Sequence, residues 1–236
     1  MKTIAGWTTL SEHPLSLMRE YSFGRGRSNT LVIALPNRKL LIVSPPLGVP
    51  EAELRALSEH GEVVALLAIN GAHHLGLGPC RAVFPNAVTY AAPGARERIQ
   101  KRGKDFGELK PLEALTPLLG DKIRLQEIEG VKFGDVVLHA TTEHGNLFYA
   151  SDFFVNIPKL PNILIELLFS LSGSGPGLKV FRLYFLGFVR KRAAARDHLI
   201  RELQAHPPSI MVPAHGQIAQ QPDLGSTLVS MLRAAI

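Results

Sequence analysis

The chain has 236 residues, enough for one large domain or two small ones, and its 46% content of hydrophobic residues excludes disorder over most of its length. A formal charge of +6 can favour anionic partners but does not identify them. The single cysteine, Cys80, excludes an intrachain disulfide, and the N-terminus lacks the apolar segment of a secretory signal, so we expect a cytoplasmic protein.

Hydrophobic patterns and turn residues predict the elements of an α/β protein. The first part predicts strands at 15–23, 30–35 and 39–43 with a polar turn at 25–29, then a helix at 51–60 and a buried strand at 63–69. The middle predicts a strand at 87–92, a helix at 95–104 and strands at 123–128, 135–141 and 146–151. The last part predicts a helical region at 158–205, a strand at 209–212 and a helix at 224–235. This order predicts a layered α/β sandwich.

The best candidate for a membrane span, residues 163–189, does not meet the requirements of one. It is interrupted by Glu166, by a Gly- and Ser-rich turn at 172–177, and by Lys179 and Arg182. Each of its two apolar pieces is too short to cross a bilayer. We therefore expect a soluble protein.

Side chains that can bind metal stand near the ends of predicted strands. They are His73 and His74 after the strand at 63–69, His144 in the following hairpin, Asp152 after the strand at 146–151, and His215 after the last strand. Strand ends can converge on one edge of a sheet, and imidazole and carboxylate are ligands of hydrolytic metal sites. These residues can instead have purely structural roles. Asp152 would then be a helix-capping or turn residue, His144 a turn residue, and a histidine such as His73 or His74 a core residue with satisfied hydrogen bonds.

Other catalytic motifs are not found in the sequence. It contains no Gly-x-Ser-x-Gly elbow, no phosphate-binding Gly-Lys-Ser/Thr loop and no Gly-x-Gly-x-x-Gly after a strand. Cys80 has no local partner motif, so we interpret it as a small buried hydrophobe rather than a nucleophile.

The order of these clusters resembles the metallo-β-lactamase fold hydrolases over nearly the whole chain. In that superfamily a strand ends in a His-x-His-x-Asp-His loop, and a later His, an Asp at the end of a hairpin strand and a final His-Gly complete a site for two metals. Residues 69–74 correspond to the loop, and the later positions correspond in order to His144, Asp152 and His215. The segment 84–94 resembles a subgroup in which an Asn and a His-His replace the usual loop. The resemblance implies a four-layer αβ/βα sandwich over residues 1–236, with a helical insert at about 158–205.

The resemblance also implies a reduced metal site. With the family's Asp-His placed on His73-His74, its first two histidines fall at Ile69 and Gly71, whose side chains cannot ligate. The implied set for a mononuclear site is His73, His74, His144, Asp152 and His215. Such ligands suit zinc first, and also iron or manganese. His73 and Asp152 are the implied catalytic residues, which would orient a metal-activated water or accept its proton.

The implied activity is hydrolysis of a small-molecule ester, amide, thioester or phosphoester. The alternative is a non-catalytic protein of this fold that holds no metal and binds a ligand or partner. Retention of four polar residues at strand ends favours the hydrolase, since unpaired buried polar groups are costly. The side chains at Ile69 and Gly71 favour the alternative.

Residues 160–201 form the second unusual region, with apolar residues on one predicted helical face and several basic residues beside them. We interpret the region as helices that cover the sheet or its site, since inserts at this place in the resembling fold shape substrate access. A homodimer contact and a membrane-surface helix attracted to anionic lipid are the alternatives. The basic run is short and its aromatic residues lie within the apolar face, which argues against a nucleic-acid partner.

Overall fold

The computed structural model describes residues 3–24, 26–103, 106–159 and 163–236. Arg25, Lys104 and residues 160–162, which belong to the predicted turn, helix and insert, lie outside the described residues. No helix within these ranges is both long and apolar enough to cross a membrane.

The first half of the chain forms a sheet whose eight strands lie in sequence order, and we name it the first sheet. Its strands are β1 (Thr3–Ile4), β2 (Trp7–Glu12), β3 (Leu15–Phe23), β4 (Gly26–Leu35), β5 (Lys39–Val43), β6 (Glu62–Ala68), β7 (Val88–Ala91) and β8 (Leu109–Lys110). Neighbours from β1 to β5 are antiparallel and those from β5 to β8 are parallel. The helices between the parallel strands are α1 (Glu51–Arg55), which a short 3-10 helix continues to Glu59, α2 (Leu77–Val83) and α3 (Pro93–Gln100).

The second half forms a five-stranded sheet in the order β16-β14-β11-β10-β9, which we name the second sheet. Its strands are β9 (Ile123–Glu127), β10 (Val136–Thr142), β11 (Gly145–Tyr149), β14 (Pro208–Val212) and β16 (Ala219–Gln220). A small third sheet contains β12 (Phe154–Ile157), β13 (Gly177–Val180) and β15 (His215–Gly216). The helices of this half are α4 (Ile163–Leu171), α5 (Arg182–Phe188), α6 (Arg192–Ala205) and α7 (Leu224–Ala235).

The two large sheets pack face to face, and the alternation of side chains along each strand explains how. On β10, Val136 and Leu138 belong to the core between the sheets, whereas Val137 belongs to the core under α6 and α7. The outer face of the first sheet packs on its own helices through a third core that includes Leu54 and Cys80. This helix–sheet–sheet–helix arrangement confirms the predicted four-layer αβ/βα sandwich.

The predicted helical region at 158–205 contains a strand that the sequence pattern does not reveal. Gly177 and Val180 bound β13, which pairs antiparallel with β12 in the register Ile157↔Gly177. The Gly- and Pro-containing stretch Gly173–Gly177 ends α4 and permits the turn back, because it includes two glycines with positive φ. The prediction of helical structure across 158–205 is therefore wrong at Gly177–Val180, whereas α5 within the same region is helical and buries Tyr184 and Phe185.

Candidate metal centre

The candidate site lies where β5, β6 and β11 end, at one edge of the sandwich. Ser44 follows β5, the loop 69–76 follows β6, and Asp152 follows β11. Gly76 lets this loop pass close to the β5 exit, since a Cβ there would collide with the carbonyl of Pro45. Three strand ends thus converge, and two of them, those of β6 and β11, precede predicted site residues.

Three of the predicted residues meet at this edge. His73 Nε2 lies 3.4 Å from Asp152 Oδ2, and His215 Nε2 lies 3.1 Å from Asp152 Oδ1. The ligating atoms of all three lie within 4.8 Å of one another, and the two imidazole rings are 5.5 Å apart between centroids. His73 and Asp152 are buried and His215 is half-buried. One end of the cluster is therefore accessible through His215.

Each imidazole is fixed by a contact at its other nitrogen. His73 Nδ1 lies 2.9 Å from Ser44 Oγ and 3.4 Å from Ser28 Oγ. His215 Nδ1 donates to the Arg27 carbonyl over 2.6 Å. Because a carbonyl can only accept, this bond places the proton of neutral His215 on Nδ1 and leaves the Nε2 lone pair toward Asp152.

The segment that carries His215 is attached to β4 of the first sheet. Asn29 Nδ2 donates to the carbonyls of Pro213 and Gly216 over 2.9 and 2.7 Å. Ser28 Oγ donates to the Ala214 carbonyl over 2.9 Å. These bonds join the first sheet to the segment that follows β14 and to β15 of the third sheet, so the site is built from both halves of the chain.

Two polar residues at the site were not among the predicted site residues. Asn70 Nδ2 donates to Asp152 Oδ2 over 2.8 Å and to Asp135 Oδ1 over 2.9 Å, while its Oδ1 accepts from the backbone N–H groups of Ala72 and His73. Asn70 therefore links both buried carboxyl groups and shapes the loop, rather than offering its oxygen to the centre.

Asp135 stands before β10, where the backbone N–H of its neighbour Val136 donates to the Ile69 carbonyl. Its carboxylate also accepts from Ser151 Oγ over 2.8 Å and from the Tyr184 hydroxyl over 2.5 Å. An aspartate at the start of a strand gives no signal of such a role. Its burial beside Asn70 is visible only in the folded chain.

The pKa values of the two buried carboxyl groups, Asp135 and Asp152, are shifted in opposite directions. Burial, with the charge of Asp152 as the second cause, raises the pKa of Asp135 to about 7. Burial also opposes ionisation of Asp152, but the charges and contacts of His73 and His215 outweigh it and hold the Asp152 pKa well below its ordinary value. Burial opposes the charged form of His215 as well, yet the Asp152 carboxylate raises the His215 pKa overall. Asp152 is accordingly the ionised carboxylate of the site.

The donor set fits a divalent ion. Asp152 Oδ1 is buried, and its 3.1 Å contact with His215 lacks hydrogen-bond geometry, so it has no hydrogen-bond partner among the described residues. Two ligand atoms about 2.0–2.1 Å from a tetrahedral ion stand about 3.3 Å apart, close to the two contacts of Asp152. His73, Asp152 and His215 therefore supply three ligands of a type that zinc, iron and manganese accept.

The structure does not bring His74 or His144 to this cluster. The ring of His74 meets Phe106 edge-on, with centroids 5.4 Å apart. His144 lies in the turn between β10 and β11 at the far end of β11 from Asp152, with its side chain 55% exposed and Nε2 3.6 Å from Glu143. Neither side chain therefore belongs to the group of three whose ligand atoms lie within 4.8 Å of one another.

A cavity of about 790 Å³ adjoins the cluster at His215. Its walls include Phe23 of β3, Phe169 of α4 and Phe181 beside α5, and Arg27 stands on its lining. Phe169 and Phe181, both within residues 160–201, thus form part of the wall of a cavity next to His215.

Comparisons with known proteins agree with this architecture. No protein-family model and no curated protein matches the chain. The metallo-β-lactamase from Erythrobacter litoralis with β-mercaptoethanol in the active site is 13% identical, with a TM-score of 0.59 over 97% of this chain and 96% of that one. The metallo-β-lactamase FIM-1 from Pseudomonas aeruginosa in the mono-zinc form is 12% identical, with a TM-score of 0.60 over 97% and 95%.

A metal-soaked flavodiiron core, Flv1 from Synechocystis, is 11% identical, with a TM-score of 0.61 over 96% of this chain and 60% of that one. Identities this low carry information about architecture alone. The four layers, the order of the strands and these likenesses over nearly the whole length lead to one conclusion: the chain has the metallo-β-lactamase fold.

Proposed function

We propose that the chain is a metal-dependent hydrolase with one ion held by His73, Asp152 and His215. The observation that carries the proposal is the buried Asp152 Oδ1, which lacks a hydrogen-bond partner among the described residues and lies 3.1 Å from His215 Nε2, while Oδ2 of the same carboxylate lies 3.4 Å from His73 Nε2. Three protein ligands leave a fourth position open, which distinguishes a catalytic from a structural site. Zinc is the first candidate, with iron and manganese as alternatives.

A bound ion would supply Lewis-acid chemistry and an activated water for cleavage of an ester, amide, thioester or phosphoester. The chain's own residues orient its ligands. Asn70 donates to Asp152 Oδ2 and leaves Oδ1 free, and Ser44 Oγ, 2.9 Å from His73 Nδ1, would accept from that nitrogen when His73 Nε2 ligates the ion. Because its low pKa makes Asp152 a weak base, we assign it ligation rather than proton transfer.

The cavity beside His215 supports a substrate with an apolar group. Phe23, Phe169 and Phe181 offer aromatic surface, and a cavity of about 790 Å³ is in the range that encloses a small molecule. The scissile bond would lie at the His215 end, where the cluster is accessible. We therefore propose that the substrate is an acyl or aromatic ester, thioester or amide rather than a strongly charged phosphodiester.

The test begins with metal content. Wild type, Asp152→Asn and His215→Ala proteins are dialysed against zinc, iron or manganese and analysed by elemental mass spectrometry, with the exposed-histidine variant His144→Ala as the matched control. We expect one equivalent that depends on Asp152 and His215 and that His144→Ala retains. The same proteins are then assayed on nitrophenyl esters of increasing acyl length, a thioester, an anilide and a phosphodiester, with and without chelator.

Wild type that holds no metal after reconstitution, or holds the same amount as folded Asp152→Asn and His215→Ala, would overturn the metal site. Wild type without metal would favour the alternative, a non-catalytic protein of this fold that binds a ligand or partner, whereas metal binding that depends on these residues without turnover of any substrate class would leave the metal site and remove the hydrolase activity from the proposal. That alternative is favoured by Ile69 and Gly71, which stand where the resembling hydrolases carry histidines.

The membrane-surface and homodimer interpretations of residues 160–201 stay predictions. Either contact would rest on the leucines that α4 exposes, Leu167, Leu168 and Leu171. A co-sedimentation assay with anionic vesicles and a measurement of molar mass in solution distinguish the two.

A further inference from the structure

The outer face of α4 carries exposed apolar side chains that contribute nothing to the core. Leu167, Leu168 and Leu171 are 55%, 55% and 79% exposed, and none of them belongs to a hydrophobic core of the described residues. At about 100° per helical residue, the three side chains fall within one sector of about 100°. We name this surface the leucine stripe.

The opposite face of α4 attaches the helix to the rest of the chain. Phe169 stacks on Phe181 with ring centroids 5.7 Å apart and lines the cavity of about 790 Å³. Beyond the helix, the backbone N–H of Ser174 donates to the Phe169 carbonyl over 2.7 Å, and the Ser174 hydroxyl accepts from the N–H of Leu183 over 3.2 Å. Because these contacts hold α4 from one side, the leucine stripe is left open to a partner outside the chain.

Exposed large apolar side chains are concentrated in this part of the protein. Among the described residues there are six, and five of them lie between positions 167 and 188: the leucine stripe together with Leu186 and Phe188 of α5. The sixth is Leu75. Single exposed apolar residues are ordinary on protein surfaces, whereas a group of them marks an interaction site.

Cations stand around the leucine stripe. Residues 159–192 contain six Lys or Arg residues and a single acidic residue, Glu166. Lys159 is exposed four residues before α4 begins. The Arg182 guanidinium stands at the other end of the helix, since a Cβ built on Gly173 would lie 3.0 Å from its Nη1. An apolar helical face flanked by cations is typical of helices that lie on anionic membranes.

We propose that the leucine stripe and the cations around it dock the chain on a membrane that contains anionic lipid. The leucines would enter the boundary between the headgroups and the acyl chains, while Lys159 and Arg182 would lie among the headgroups. The proposal does not depend on the metal centre.

Charge and area favour a lipid surface over a second copy of the chain. Two copies that met through this face would bring the six cations of each into one contact, with Glu166 as the only acid in each segment, and like charges repel. The exposed parts of three leucine side chains amount to on the order of a few hundred Å², below the about 800 Å² per partner of a stable dimer. An anionic bilayer neutralises the cations and needs no complementary protein surface.

The experiment is co-sedimentation of the full chain with vesicles of equal parts phosphatidylserine and phosphatidylcholine, compared with vesicles of phosphatidylcholine alone. Leu168→Ser/Leu171→Ser removes the larger part of the leucine stripe, and Leu168→Met/Leu171→Met is the matched control that keeps it apolar. Lys159→Gln/Arg182→Gln removes the cations at its two ends. The control for charge is Lys122→Gln, at an exposed position before β9.

We expect wild type to bind the anionic vesicles at least about tenfold more tightly than the neutral ones and to be released by high salt. The serine variant should lose at least about tenfold in partition coefficient, because its side chains no longer favour the acyl region. The glutamine variant should lose about fivefold for each cation removed. The methionine variant and Lys122→Gln should bind nearly as wild type does. Circular dichroism checks that each variant is folded, as expected for exposed positions.

Wild-type protein that does not sediment with the anionic vesicles would overturn the proposal. Equal binding to anionic and neutral vesicles would also overturn it, as would a folded serine variant that binds as tightly as wild type. Light scattering detects the competing occupant. A wild-type dimer that dissociates in the serine variant, without any binding to vesicles, would show that a second copy of the chain covers the leucine stripe.

Discussion

Replacement of Asp135 by Asn is predicted to remove a large pH dependence from the stability of the metal-free protein. Asp135 is fully buried, and burial followed by the charge of Asp152 raises its pKa to about 7. An unfolded aspartate has a pKa of about 3.9. Between these values the native state binds more protons than the unfolded state, so the stability contributed by this group falls as pH rises from about 4 to 7.

The size of the effect follows from the two pKa values. Each pH unit inside the window costs about 1.4 kcal/mol, and the loss levels off above the native pKa, so pH 5 to pH 8 costs about 2–3 kcal/mol. Because Asn cannot ionise, the Asp135→Asn variant does not lose this stability as the pH rises. Its oxygen can still accept from Asn70 and Ser151, and the Tyr184 hydroxyl can turn to accept from the new amide, so the remaining cost of the substitution is independent of pH.

The assay is urea unfolding at several pH values with a chelator present, followed by the fluorescence of the single tryptophan, Trp7, which is buried in β2. The quantity to compare is the difference in unfolding free energy between Asp135→Asn and wild type, because the histidines contribute equally to both. Exposed Asp121→Asn is the control. If this difference in unfolding free energy changes by less than about 0.5 kcal/mol between pH 5 and pH 8, the argument is refuted. A change of that size is the scatter of neutral surface substitutions.

Three further substitutions test the site. His144→Ala should leave metal content unchanged and stability within about 0.5 kcal/mol, as checked by elemental analysis and thermal melting, because its side chain is exposed and distant from the cluster. Ser44→Ala should weaken metal affinity by about 10–100-fold in a chelator competition, because it removes the nearer contact at His73 Nδ1; unchanged affinity would assign that orienting role to other groups. Gly216→Ala should destabilise the fold by about 1–3 kcal/mol in urea, since φ is +99° there and a Cβ would collide with a carbonyl of β12; wild-type stability would show that the β15 segment adjusts freely.

Much of the fold could be predicted from sequence because its elements carry strong local signals. The hairpin at Pro36-Asn37-Arg38 joins β4 and β5, and the Asn and Arg have the positive φ that such a turn needs. The helix predicted at 224–235 is α7 without change, since its apolar residues repeat at helical spacing. Strand β13 was missed because four residues of edge strand, paired only with β12, give no periodicity.

The site was predictable only in part. His73, Asp152 and His215 follow strands whose ends converge, and that rule holds in the structure. His144 precedes β11 and Asp152 follows it, and a five-residue strand spans about 16–17 Å, too far for both side chains to reach one ion. This arithmetic is available from the sequence and argues against His144. Asp135 has no such signal, because its role depends on burial beside Asn70.

The bonds from Asn29 and Ser28 to the segment at 213–216 would make metal binding at the proposed site depend on both halves of the chain. A chain cut at the exposed Gly120–Asp121 turn yields one fragment with His73 and another with Asp152 and His215, and neither carries the three-ligand set. Zinc bound at the proposed site would then favour reassembly of the two fragments. Free zinc at a hundred times its dissociation constant would add about 2.7 kcal/mol to the free energy of their association. Occupancy of the proposed site would in the same way add to the free energy that holds the two halves of the intact sandwich together.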